Sequence, residues 1–397
     1  MAENEEDIKR KLSWRRILVP VLIGLIAAGG LLWWNLTKPT YIPAPAGERG
    51  THTWIDANEN GVPDSSDPTE FIEDASGQYI ETHAGELLSN YEWPDDAFLA
   101  LSLALLMVVL RDVGYIYRIR LLTDKLLSWR QSFDVIMLWE FASALSPGLV
   151  GGSAVALFIL EREKISFGRS TAIVIITLIF DNLFYLLFIP LIFFTVSFQS
   201  LFPADLEWFA TGGLSLFWIA YVVILILTLI FFLSVFYSPK IIQTMVNLIF
   251  KLPYLRRRKE KAEIFGKDII LASKEFRSYS VFYWFKVFGT TVASWISRFL
   301  VLNFVLYAFI ELGLMDHLII LARQLLMWLA MLVTPTPGGS GMAEFVFAEL
   351  FIDYTSKTVV SGATLALIWR TLSYYPYLLI GSVLLPRWLR KNANTEM

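Results

Sequence analysis

Eight ionisable side chains stand inside long apolar stretches of this chain: Glu140, Asp181, Lys286, Arg298, Arg323, Glu344, Glu349 and Arg370. A charge at the centre of a bilayer costs about 2.5–3.5 kcal/mol on insertion scales, so each of these groups needs a partner or a task. Arg298, Arg323 and Arg370 fall in three different segments of the C-terminal half. A planar guanidinium pairs with phosphate oxygens through two parallel hydrogen bonds, which an ammonium cannot do. A lipid phosphate is therefore the ligand chemistry the three predict. The alternative is internal neutralisation, with Arg370 on Asp181 and Arg323 on Glu344.

Two matched breaks interrupt the apolar stretches. Ser146-Pro147-Gly148-Leu149-Val150-Gly151-Gly152-Ser153 returns as Thr336-Pro337-Gly338-Gly339-Ser340-Gly341-Met342-Ala343. A Pro-Gly break inside lipid frees backbone groups that hydrocarbon cannot satisfy, so it survives only where protein or a water-filled cavity lines it. Two such breaks predict one shared cavity near the bilayer midplane. Helices restarting after Gly148 and Gly338 would aim unpaired N–H groups and a positive dipole end at an anion. Ser153 and Ser340 add hydroxyl donors, and Gly151, Gly339 and Gly341 permit close backbone approach. The plainer reading of the glycines is tight helix packing. Glu344, in the first turn of its helix, is either a coupling-ion site or a complement to the helix dipole.

A separate chemistry appears in Asp56-Ala57-Asn58-Glu59-Asn60-Gly61-Val62-Pro63-Asp64-Ser65-Ser66-Asp67. Oxygen-bearing positions Asp56, Asn58, Asn60, Asp64 and Asp67, the Val62 carbonyl and a turn glycine match the spacing of a calcium loop. Position twelve is Asp instead of the usual Glu, and the pattern is closest to the calcium repeats of thrombospondin type 3 domains. Ca2+ is thus the expected cofactor, with a structural task; an acidic solvated turn is the alternative.

The elements that must position these groups are membrane helices. The chain has 397 residues, of which 56% are hydrophobic and 15% aromatic, with several apolar runs near bilayer length. It contains no cysteine, which excludes disulfides, thiolate metal sites and thiol nucleophiles. Residues 39–96 carry thirteen acidic side chains and one basic one, Arg49, whereas the other polar loops are mostly basic. That asymmetry is a topology signal. It predicts a cytoplasmic N-terminus with a first anchor (1–36), an extracytoplasmic acidic segment (37–94), a first membrane repeat (95–250), a basic cytoplasmic linker (251–278) and a second repeat (279–390). A cleaved signal peptide is the rival reading of the first run. Phe98 to Leu110 would run inward to a cytoplasmic stretch holding Arg111, Arg118 and Arg120. Apolar stretch 133–160 has basic flanks on both sides, and 316–352 has flanks that read as external. The fold class expected is all-α integral membrane, with six full spans plus two re-entrant Pro-Gly hairpins forming an inverted repeat, and a small extracytoplasmic acidic loop region. Eight ordinary helices with Pro kinks are the alternative.

Pro147-Gly148-x-x-Gly151 with its basic turn, then Thr334-Pro335-Thr336-Pro337-Gly338-Gly339-Ser340-Gly341-x-x-Glu344, then Arg370 in the last span, resembles the lysylphosphatidylglycerol synthase transmembrane-region family, also called flippase-like proteins. The resemblance covers roughly residues 95–390. It implies a membrane domain that moves aminoacylated phosphatidylglycerol between leaflets, with synthesis carried by a separate soluble domain absent from these residues. No synthase activity is therefore expected.

The function expected is translocation of an anionic or phosphate-bearing lipid through a cavity between two broken-helix hairpins, in a multi-pass protein of the cell (inner) membrane with both termini cytoplasmic. Its partners would be anionic phospholipid or polyprenyl phosphate, not nucleic acid. A membrane-embedded enzyme fits less well: there is no HExxH pattern, and His52, His83 and His317 all fall outside the apolar core. A non-transporting scaffold for envelope or glycolipid synthesis is the remaining alternative.

Overall fold

A computed structural model describes residues 36–45, 47–57, 67–146, 150–202, 214–238, 270–332, 342–355 and 362–393, with isolated positions between them. The first apolar run, 17–34, lies largely outside these residues, and the basic run 251–261 wholly so. The described chain is mainly helical, with a small antiparallel sheet ahead of the helices.

Three helices set the frame: α2 (Ala97–Leu122), α5 (Phe167–Thr195) and α7 (Val281–Tyr307). At about 1.5 Å per residue each exceeds the roughly 30 Å of a hydrocarbon core. Together with Phe217–Tyr237, which continues α6 (Leu214–Phe232), they are the four described helices long and apolar enough to cross a membrane. Only 22% of the apolar stretch in Phe217–Tyr237 is buried by protein, against 56% in α5 and α7, which puts that helix on the periphery. Serine caps start two of the three: Ser166 accepts a hydrogen bond from Arg169 N, and Ser280 accepts one from Tyr283 N.

Helices α3 (Trp129–Leu145) and α4 (Val150–Arg162) flank the first break and pack on each other, as α8 (Leu314–Leu332) and α9 (Met342–Leu350) do around the second. The first pair is held close by small residues: a Cβ on Gly152 would sit 2.0 Å from Ser143 Oγ. A capping box in which Ser128 and Gln131 bond each other's backbone N–H starts α3.

The last apolar stretch, 357–385, is not a single span. It divides at Tyr374 into α11 (Gly362–Ser373) and α12 (Tyr375–Ala393), with α10 (Ile352–Thr355) a short turn before them. Pro376 explains the break. It has no N–H to donate, and its ring excludes the carbonyl four residues back, but both defects are harmless in a first helical turn.

The two halves repeat one contact pattern. Pairing α2 with α7, α3 with α8, α4 with α9, and α5 with the α11–α12 unit maps one set of neighbours onto the other. Thus α2 packs on α3 as α7 does on α8, α4 packs on α5 as α9 does on α11, and α3 packs on α12 as α8 does on α5. The axis of this arrangement is the α2–α7 pair, which is antiparallel: Leu121 O accepts from Tyr283 Oη, Arg118 donates to Thr291, and Arg111 O accepts from Ser294. Gly114 is required there, because a Cβ would lie 2.2 Å from Ser294 Oγ. Small residues at a helix crossing let backbones approach within hydrogen-bonding reach, which matters in lipid, where the hydrophobic effect does not drive helices together.

Two expectations need correction. The acidic segment 37–94 is not a loop region. It folds into a four-stranded antiparallel sheet of order β1-β4-β2-β3, made of β1 (Pro39–Pro43), β2 (His52–Trp54), β3 (Phe71–Glu73) and β4 (Tyr79–His83), followed by α1 (Ala84–Asn90). Its core is aromatic, with Tyr41 stacked on Phe71 at 4.3 Å and edge-on to His52 at 5.0 Å. Tyr91 and Trp93 then pack on Phe309 beyond the end of α7, tying the sheet to the membrane helices. Second, the helix beginning near Phe98 does not stop at Leu110 but runs on to Leu122. Arg111 and Arg118 therefore lie inside the helical layer, 1% and 6% exposed, and not in a cytoplasmic loop.

Of the calcium-loop positions, Asn58, Asn60, Val62 and Asp64 lie outside the described residues. Asp56 and Asp67 stand at the two ends of the β2–β3 connection, which is closed by Ile55 N donating to Glu70 O at 2.8 Å. Asp67 caps a short 3-10 turn. Its carboxylate accepts from the hydroxyl and backbone N–H of Thr69, which hold it below the usual carboxylate range.

Candidate functional site

Helix α2 carries Arg111 and Arg118 two turns apart, on one face. Each is met by a carboxylate from another element. Arg118 donates to Asp181 of α5 at 2.5 Å and to Thr291 of α7 at 3.1 Å, and Trp295 Nε1 completes the site by donating to Asp181 at 3.0 Å. Arg111 pairs with Glu140 of α3 at 2.5 Å and donates to Tyr377 Oη of α12 at 2.7 Å; Tyr377 in turn donates to Asp112 at 2.9 Å. The Tyr115 ring lies near both guanidinium groups, 5.4 Å from Arg111 and 4.8 Å from Arg118. These networks join α2, α3, α5, α7 and α12 through charge-assisted bonds in a place where an unpaired charge would be expensive.

Beside them lies a cavity of about 230 Å³. Its wall includes Ser146, at the end of α3 before the first break, and Gly339, inside the second. One described residue of each matched segment thus borders the same cavity. Gly339 has a φ of 69°, in the left-handed region where a glycine carries no steric penalty, and a Cβ there would meet Met331 Cε at 2.9 Å. Arg298, Arg370 and Glu140 line the same cavity, with Trp328, Trp369 and Tyr377 as aromatic wall. An adjoining cavity of about 240 Å³ shares Glu140, Ser143, Arg298 and Trp328 with the first and is reached by Ser153, Arg118 and Asp181.

Of the two cavity arginines, Arg298 differs from the arginines of α2. Arg298 sits past the middle of α7, with its guanidinium over the Trp295 ring at 5.1 Å. Among the described residues it makes no hydrogen bond and no salt bridge. Arg370 lies over the Tyr374 ring at 4.1 Å in the last turn of α11, where the Pro376 break brings it to the cavity.

Arg323 is placed differently. It donates to both carboxylate oxygens of Asp353, at 2.5 and 2.9 Å, and to the carbonyls of Leu350 and Ser200. That set holds α8, the end of α9 and the turn after α5 together, and Arg323 does not line either of the two adjoining cavities. Asp181 takes Arg118 as its partner instead of Arg370. Lys286 is exposed near the start of α7, over the Phe282 ring at 4.6 Å. Gly151 is in the first turn of α4. Gly148, Gly338, Ser340 and Gly341, and the side chain of Glu344, lie outside the described residues.

Sequence reasoning missed Arg111, Arg118 and Asp112 because a basic cluster after an apolar run reads as a loop. A usable signal was present: Phe98 to Leu110 is too short to span a bilayer, which takes about 20 residues, so the helix had to continue through the arginines.

Residues 85–381 match the family described as the lysylphosphatidylglycerol synthase TM region. A UPF0104 membrane protein of Archaeoglobus fulgidus is 22% identical over 297 residues, covering 72% of this chain and 85% of that protein. No solved structure matches the chain.

The pairing has a direct consequence for stability. Asp181→Asn leaves Arg118 buried without its counter-ion and is expected to cost about 3–5 kcal/mol. Arg298→Gln, which breaks no ion pair among the described residues, is expected to leave stability within about 1 kcal/mol. Thermal unfolding of both variants in detergent checks this; equal losses would contradict the distinction between the two arginines.

Proposed function

The chain belongs to the lysylphosphatidylglycerol synthase transmembrane-region family, and from that premise we propose that it is a lipid translocator and not an enzyme. An anionic or phosphate-bearing headgroup enters the cavity between the two breaks while its acyl chains stay in the bilayer. Arg298 and Arg370 hold the phosphate, helped by helix N-termini at the breaks. The observation that carries this reading is Arg298: a buried-layer cation that lines both adjoining cavities and is not engaged by any described carboxylate within salt-bridge distance. A guanidinium in that state keeps donors that no described residue engages.

The same reading sets the topology: six spans and two re-entrant hairpins, α3–α4 entering from the cytoplasm and α8–α9 from outside, with both termini cytoplasmic in the cell (inner) membrane. In its support, α3 and α4 at about 25 and 20 Å are shorter than the hydrocarbon core, and the contact pattern repeats between the halves. Alternating access would follow from rocking one half against the other about the α2–α7 pair.

Leaflet exchange in proteoliposomes of headgroup-labelled phosphatidylglycerol, lysyl-phosphatidylglycerol and phosphatidylcholine tests it. The wild type is expected to accelerate an anionic or aminoacylated lipid, and Arg298→Gln to slow that lipid by about 10- to 100-fold, the worth of one charged hydrogen bond of about 1.5–3 kcal/mol. Background rates for every lipid would remove the proposal.

The loop between β2 and β3 is further proposed to hold Ca2+ as an ordering ion, since the sheet already fixes its two ends. Titration calorimetry is expected to give one site with a Kd of about 10⁻⁴–10⁻³ M, the range of extracellular modules, abolished by Asp56→Asn with Asp64→Asn. Absence of calcium binding by the wild type would leave the loop an acidic turn.

A further inference from the structure

Helices α7 and α8 are joined by a buried polar network that takes no part in the ion pairs of α2. Gln324 of α8 is 3% exposed and Asn303 of α7 is 1% exposed. Gln324 Nε2 donates to the Phe299 carbonyl at 3.1 Å and to Asn303 Oδ1 at 3.0 Å. Asn303 Nδ2 in turn donates to the His317 carbonyl at 2.9 Å and lies 3.1 Å from His317 Nδ1. Phe299 and Asn303 stand one turn apart on α7, and His317 and Gln324 two turns apart on α8, so the four meet where the two helices face each other.

The network fixes which way each amide points. A backbone carbonyl can only accept, so the Asn303 atom facing the His317 carbonyl is its nitrogen, and so is the Gln324 atom facing the Phe299 carbonyl. Turning either amide over would set oxygen against oxygen in a buried place. Both N–H groups of Gln324 are thereby used. What remains is Oε1, an acceptor that no described residue engages, on a side chain that lines the cavity of about 230 Å³. The carbonyl that anchors Gln324 belongs to the residue after Arg298, so the amide is held beside the position from which that guanidinium reaches the same cavity.

From this we infer that Gln324 selects the headgroup, its Oε1 accepting a hydrogen bond from a hydroxyl that stands next to the phosphate. The inference rests on the translocation reading, in which Arg298 and Arg370 take the phosphate, and it names the class of headgroup: a phosphodiester with a hydroxylated substituent such as glycerol. A headgroup without a donor would displace water from Oε1 and leave that acceptor unsatisfied, which is penalised more heavily than a made hydrogen bond is rewarded. A hydroxyl fits better than an ammonium. The wall already carries two guanidinium groups, and its carboxylate, Glu140, is taken by Arg111 at 2.5 Å, so a further cation would be repelled.

Binding to the full chain in detergent tests it, with dihexanoyl phosphatidylglycerol against dihexanoyl phosphatidylpropanol, which has the same charge and a three-carbon headgroup without hydroxyls. The wild type is expected to bind the glycerol lipid about tenfold more tightly, the worth of one neutral hydrogen bond. Gln324→Met, which keeps the length of the side chain and removes its acceptor, is expected to equalise the two affinities. The ratio is the readout because a merely structural loss weakens both lipids alike. Equal affinities in the wild type overturn the inference whatever the variant does, and so does a preference that survives Gln324→Met. Dihexanoyl phosphatidylethanolamine is expected to bind more weakly than the glycerol lipid; equal or tighter binding gives the site to an ammonium and overturns the hydroxyl assignment. Binding of neither anionic lipid removes the headgroup reading of the cavity and the inference with it. If the preference holds but no lipid exchanges between leaflets in proteoliposomes, Gln324 keeps its role and the transport reading fails.

Discussion

Burying two arginines on one helix is the constraint from which the rest of the membrane architecture follows. Arg111 and Arg118 on α2 are almost inaccessible to solvent. In a medium without water a guanidinium must be neutralised and hydrogen-bonded by protein. Glu140 and Asp181 supply the charge, from the first broken pair and from α5, and Tyr377 and Thr291 supply further acceptors from α12 and α7. The positions of four helices relative to α2 are therefore specified by polar geometry. Apolar packing on its own would not fix them, because lipid tails compete on equal terms with leucine side chains.

The polar layer also explains why the breaks can exist where they do. Each break ends a helix inside the protein, leaving backbone groups that need a polar wall. The cavity beside Arg298 supplies that wall, and Ser146 and Gly339 both border it. The paired arginines of α2 are committed to structure, whereas Arg298 makes no hydrogen bond or salt bridge among the described residues. The charge of the layer thus divides into a fixed part that orders the helices and a free part that can meet a ligand. Arg323, which sequence reading grouped with the ligand arginines, falls on the structural side through Asp353.

Much of this was legible from residues alone. The Pro-Gly echo marked both breaks, and a depth argument picked out Glu140, Asp181, Arg298 and Arg370 before any geometry was known. What escaped did so for identifiable reasons. Arg111 and Arg118 share the composition of a cytoplasmic loop, and only helix length argues otherwise. The sheet escaped because β2 and β3 have three residues each, too few for alternation to register, and its pairing joins β1 to β4 across an acidic interval. The break at Tyr374 depended on Pro376, which a transmembrane helix often tolerates as a simple kink.

The central claim is that the two broken pairs open to opposite sides and meet at one cavity. The absence of cysteine makes a direct measurement possible: single cysteines at Leu126 and Lys164, flanking α3–α4, and at Leu314 and Ser356, flanking α8–α9, labelled by a membrane-impermeant maleimide in oriented vesicles. The account predicts that Leu126→Cys and Lys164→Cys react only from the cytoplasmic face, and Leu314→Cys and Ser356→Cys only from the other. Opposite sidedness within either pair would make that pair an ordinary span and contradict the account.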